Sequence, residues 1–173
     1  MSFNILAVGR CGMGEEAVAE HAAARAAEEH AALTLMGIWS PTPLIQWARL
    51  AGVDPSELIQ DHGEQSSRWI REVVAGLPED VSVKFACRRG LPRRHIAAEL
   101  RAGHYDELIV SRTLLSQRRL AKLARQYAEL RIELVDTQLE HHGGVRVRDE
   151  AVLAVPLDGA RKHGALDVRA EPH

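Results

Sequence analysis

The densest cluster of chemically useful residues is Gly9-Arg10-Cys11-Gly12-Met13-Gly14. Glycines let backbone amides approach an anion, and a helix that begins just beyond adds its positive end. The spacing fits neither the dinucleotide fingerprint nor the phosphate loop with its lysine. Gly9, Arg10 and Gly12 are therefore read as ligand contacts or, more plainly, as a tight turn of small residues. Cys11 has the position of a reactive thiol near a helix start. Its plainer role is that of a small apolar-like residue in the turn.

Two basic groups follow later. Arg88, Arg89, Arg93 and Arg94 form the first; Arg112, Arg118, Arg119, Lys122, Arg125 and Arg131 form the second. Arginine holds phosphate or carboxylate without needing a glycine loop. An anionic ligand or an acidic partner is thus compatible with these groups, although a solvated helix face explains them as simply. Nucleic acid is not expected, because the formal net charge is -2 and no aromatic residues interleave the basic ones. Metal binding is not expected either. His141 and His142 are adjacent, and no second His or Cys stands at helical ligand spacing from either. The carboxylate pairs Glu15-Glu16 and Glu28-Glu29 read as helix-surface pairs. No acid-base pair or nucleophile triad emerges, so no catalytic residue is assigned.

The elements that carry these residues alternate. Phe3 to Val8 is an almost continuous apolar run, as in a strand buried on both faces. An Ala- and Glu-rich helix follows over 15–31, with acidic residues at its positive end. Leu33 to Trp39 is a second apolar strand. The stretch 40–54 is a connection with Pro41 and Pro43, able to form a short flap-like helix flanked by Trp39 and Trp47. Asp54-Pro55-Ser56-Glu57 is a helix start, and Gly76 and Pro78 end that helix. From Val81 to Cys87 apolar and polar residues alternate, as in a half-exposed edge strand with Cys87 in the core phase. Pro92 opens another helix, with Ile96, Ala97 and Leu100 inward. Glu107 to Ser111 is a buried strand, and 116–127 a helix. Leu130 to Val135 is either a strand or more helix. A strand at 151–155 is the favoured fifth strand, reached after an insertion over 136–149.

The alternation of strands and helices makes this an open α/β sheet. The order Gly90-Leu91-Pro92, then a helix, then Asp106-Glu107-Leu108-Ile109-Val110 resembles the universal stress protein family over residues 3–126. The resemblance implies an open, mainly parallel five-stranded sheet with helices on both faces, and a homodimer commonly made by pairing the last strand with its copy. In ATP-binding members an Asp at the end of the first strand, the end of the second strand and a glycine loop after the fourth hold the nucleotide. Here Gly9 or Arg10 stands where the Asp is expected, and Gly37 lies toward the end of the second strand. Ser111 and Leu114 replace the first two loop glycines, and Ala124 and Arg125 replace the Gly-Ser pair. Binding of ATP or AMP is accordingly expected to be lost or much weakened, leaving Arg112 and Arg125 as residual anion contacts. Val152 to Gly159 also resembles a first strand of the same family, so 145–158 is either an extra strand or the start of a degenerate repeat.

Length and composition bound the rest. A chain of 173 residues, 46 % hydrophobic and 27 % charged, suits one globular domain. We expect it over 1–158, with a tail at 159–173. Two cysteines exclude a disulfide framework, and the expected setting is cytoplasmic with both thiols reduced. No apolar run reaches the roughly 18–20 residues of a membrane span, and the first residues do not read as a signal peptide. The expected function is a non-enzymatic, cytoplasmic regulator of the universal stress protein kind. It would be a homodimer acting through a protein partner, without cofactor. The alternative is a sensor that binds an adenine nucleotide or another anion.

Overall fold

The computed structural model describes residues 3–12 and 14–137. The expectations for 145–158, for the tail and for His141 and His142 lie outside the described residues.

The described residues form five strands and five helices. They are β1 (Asn4–Arg10), α1 (Glu16–Glu29), β2 (Ala32–Trp39), α2 (Thr42–Ala51), α3 (Ser56–Ala75), β3 (Val83–Arg89), α4 (Pro92–Ala102), β4 (Glu107–Ser111), α5 (Gln117–Gln126) and β5 (Arg131–Val135). All neighbouring strands pair in parallel, in the order β3-β2-β1-β4-β5.

Strand alternation sends side chains to two separate cores. Ile5, Ala7, Leu33, Leu35 and Ile109 pack with Val18, Ala22, Ala26 and Ile70, from α1 and α3. Leu6, Val8, Met36, Ile38, Leu108 and Val110 pack with Ile96, Leu100 and Leu120, from α4 and α5. The buried stripe of α1 contains four alanines, so the helix lies close against the sheet. The outer strand β3 keeps only part of its expected inward phase. Val83 and Cys87 touch the first core, whereas Phe85 is 46 % exposed.

The fifth strand is 131–135, which corrects its favoured placement at 151–155. Glu107 to Ser111 pair with Arg131 to Val135 in continuous register. Ile132 and Leu134 pack on the second core and Val135 joins the first. A short segment after α5 therefore completes the five-stranded sheet without any insertion.

Pairing with β4 also sends Arg131 to the amino end of the sheet, away from the other second-group arginines. There its Nε lies 3.2 Å from Glu107 Oε1, and Arg25 Nε lies 3.3 Å from Oε2. Burial pushes the Glu107 pKa up, and the two guanidinium groups oppose that shift. Arg131 apart, the two arginine groups lie at or after the carboxyl ends of β3 and β4, on one edge of the sheet but apart from each other. β1 and β2 separate β3 from β4, a span of about 14 Å at the usual strand spacing.

Asp54 caps α3 from two residues before its first turn. Its Oδ1 accepts hydrogen bonds from the Ser56 N–H at 3.0 Å and the Ser56 hydroxyl at 2.9 Å. These bonds hold the Asp54 carboxyl below its usual range. The charged form is thus favoured in the folded state. Its contribution is present above the unfolded-state pKa and is lost as pH falls through the folded value. Asp54→Ala is expected to lower the melting temperature at neutral pH and to lose less stability than the parent on acidification. Thermal melts across acidic pH check both.

Candidate functional site

In an open α/β sheet, ligands bind at the carboxyl ends of the strands where the connections change direction. Here that point lies between β1 and β4, since β2 sits on one side of β1 and β4 on the other. Ser111 closes β4 there and is fully buried; Gly9 and Arg10 close β1.

The crevice holds a side chain of the protein itself. Glu15, just before α1, is only 8 % exposed. Its Oε2 accepts the Arg10 N–H at 3.1 Å. Its Oε1 accepts the Ser111 hydroxyl at 3.2 Å and the Thr137 hydroxyl at 3.0 Å. Ser111 Oγ also lies 3.0 Å from Thr113 Oγ1 and 3.1 Å from Thr137 Oγ1. Gly9 leaves room for it: a Cβ there would stand 3.1 Å from Glu15 Oε2, a tight contact.

Glu15 is therefore not the surface residue expected from its pairing with Glu16. Glu16 is also engaged. It accepts the Gly14 N–H at 2.6 Å and the Trp69 indole N–H at 3.0 Å, which joins the turn after β1 to α3.

The expected site residues divide. Gly9, Arg10 and Ser111 meet at Glu15. The Arg10 guanidinium reaches the Thr113 carbonyl at 3.4 Å. Arg112 pairs with Asp136 at 3.2 Å, with both side chains about half exposed. Arg125 lies exposed in the last turn of α5. Gly12 has φ 154°, and a side chain there would meet nothing within 4 Å. Gly37 faces protein: a Cβ there would stand 2.6 Å from Cys11 Sγ and 3.1 Å from Ile70 Cδ1.

Glu15 and Thr137 are the residues that local sequence reasoning missed. For Glu15 the only signal was a carboxylate five residues after the first strand, which the helix dipole already explains. Thr137 carried none.

Beside the crevice, a pocket of about 940 Å³ opens between α3 and the ends of β2 and β3. Trp39, Arg68, Arg71, Cys87 and Arg89 are among its lining residues. Trp39 stacks edge-on with His62 at 5.3 Å, and the Arg89 guanidinium lies 6.0 Å from its ring centre. Trp47, by contrast, is 57 % exposed on α2.

The structure is similar to that of a protein from the universal stress protein family from Burkholderia pseudomallei. The TM-score is 0.55 and the sequence identity 16 %, over 76 % of this chain and 94 % of that one. The fold is universal stress protein-like. A universal stress protein solved in complex with cAMP is also similar, at TM-score 0.45 and 16 % identity, over 79 % of this chain and 98 % of that one. No family model and no curated protein matches the sequence. Within this universal stress protein-like fold, the carboxyl ends of β1 and β4 are bridged by the chain's own carboxylate.

Removing that carboxylate leaves its donors without their acceptor. Glu15→Ala is expected to cost about 1–3 kcal/mol, read by urea denaturation. Gly37→Ala overpacks the passage beside Cys11 and is expected to cost about 1–3 kcal/mol as well.

Proposed function

We propose that the protein is a universal stress protein-like regulator that works without catalysis, as a homodimer and through contacts with a protein partner. Its nucleotide cleft is degenerate, and the Glu15 carboxylate is the observation that carries this reading. A buried acid with three hydrogen-bond donors already around it occupies the crevice and repels a phosphate that approaches it. The sequence supports the same conclusion. Between Gly103 and Gly143 the chain has no glycine, so no glycine loop follows β4.

Protein contact is supported by the surface. Trp47, Leu50 and Val53 are exposed on and just after α2, Leu50 to 89 %. Large apolar groups gathered in this way fit an interaction site. Among the described residues β5 ends the sheet order, and an end strand suits pairing with a second copy. Among the described residues no helix is long and apolar enough to cross a membrane.

A second reading keeps an anion at the cleft. It is favoured by the Arg10 guanidinium, which is held at the mouth of the crevice by the Thr113 carbonyl. In that reading Arg10, Arg112 and Arg125 hold an adenine nucleotide or another anion.

Calorimetric titration with Mg-ATP and with AMP separates the two readings. The degenerate cleft gives no heat, with any dissociation constant weaker than about 1 mM, and no nucleotide co-purifies. Micromolar binding that Arg112→Ala weakens overturns the first reading and supports the second.

A further inference from the structure

The chain has only two cysteines, Cys11 and Cys87, and 76 positions separate them. The fold brings their sulfurs to 3.7 Å. This proximity is not a consequence of strand pairing, because β2 lies between β1 and β3. Gly37 of β2 stands directly opposite Cys87 in the register. The space where its Cβ would be is taken by Cys11 Sγ, 2.6 Å from that point. A side chain at 37 would force the Cys11 sulfur to shift from this position. Cys87 lines the pocket beside α3, whereas Cys11 lies behind it and does not.

We propose that Cys11 and Cys87 form a redox-active dithiol, which a small hydroperoxide entering by this pocket converts to an intramolecular disulfide. The two sulfurs have distinct roles. Cys87 faces the pocket and attacks the peroxide. Its sulfur bonds to one peroxide oxygen, the O–O bond breaks, and the other oxygen leaves as water or an alcohol after taking up the thiol proton. Arg68, Arg71 and Arg89 line the same pocket and supply donors for the negative charge that develops on the leaving oxygen. The product is a sulfenic acid at Cys87.

Cys11 resolves it. Burial and the neighbouring Cys87 push the Cys11 pKa up, so this thiol stays protonated and is a poor first nucleophile. Its sulfur displaces the hydroxyl of the sulfenic acid, and the Cys11 proton leaves with that hydroxyl as water. The sulfur pair has then lost two electrons, and the peroxide has been reduced by two. An external dithiol reverses the step by exchange.

Bond formation requires the sulfurs to close from 3.7 Å to about 2.05 Å. Cys11 sits on the turn that follows β1, next to Gly12, where a side chain would meet nothing within 4 Å.

The test uses the full chain. The reduced protein is treated with hydrogen peroxide, blocked with a maleimide and weighed intact. The expected product is a monomer that has lost two hydrogens, takes up no maleimide and yields a Cys11–Cys87 linked peptide. The same treatment in urea is expected to form this link at least about tenfold more slowly, because unfolding removes the proximity. A dimedone adduct at Cys87 in Cys11→Ser identifies Cys87 as the first sulfur attacked. The proposal is overturned if both thiols still take up maleimide, if only interchain disulfides form, or if the urea-unfolded chain reacts as fast. An adduct at Cys11 in Cys87→Ser with none at Cys87 in Cys11→Ser also overturns it.

Discussion

One Glu15 oxygen takes the N–H of Arg10, and the other takes the hydroxyls of Ser111 and Thr137. These bonds tie the end of β1, the start of α1, the end of β4 and the segment after β5 to a single carboxylate. A buried acid is tolerated only when its lone pairs are met, and here three donors meet them. The constraint also explains the residues around it. Gly9 is small because Glu15 Oε2 lies where a larger residue would crowd it. Ser111 ends the apolar run Leu108 to Val110 with a hydroxyl that faces that acid.

The consequence for function follows from charge. The carboxyl ends of parallel strands are where this architecture takes ligands, and here that place carries a negative group. The acid in this cleft links the end of β1 to the end of β4. On the flank, α3 and β3 enclose a pocket whose lining includes arginines and one thiol. Gly37 links the two regions. It lets α3 approach through Ile70 and Trp69, and it gives Cys11 its place above β2.

Much of the architecture was legible in the sequence. β1, β2 and β4 announce themselves as continuous apolar runs because both faces of each are covered. The alternation in β3 marks an edge, and the Asp54-Pro55 start marks α3. β5 was less legible. Five residues with only two apolar positions facing the second core carry little periodic signal, and the stronger apolar run at 151–155 drew the assignment away. Pairing with β4 decides the matter, and pairing is not a local property. The site was legible only in part. An acidic residue at a helix start already has a local explanation in the helix dipole, so Glu15 gave no reason to look further. Its contact with Ser111 spans 96 positions. The cysteine pair was hidden for a related reason: the residue that permits it, Gly37, belongs to a third strand.

The central claim is that Glu15, and no external anion, satisfies the crevice between β1 and β4. The most direct measurement follows the Arg10 amide by NMR in the 15N-labelled chain as Mg-ATP is added. A hydrogen bond to a buried carboxylate predicts a slowly exchanging Arg10 amide whose resonance does not move with ATP, and neither do those of residues 111–113. Saturable shifts at Arg10 and across 111–113 would contradict the account, because they would show the nucleotide taking the place assigned to Glu15.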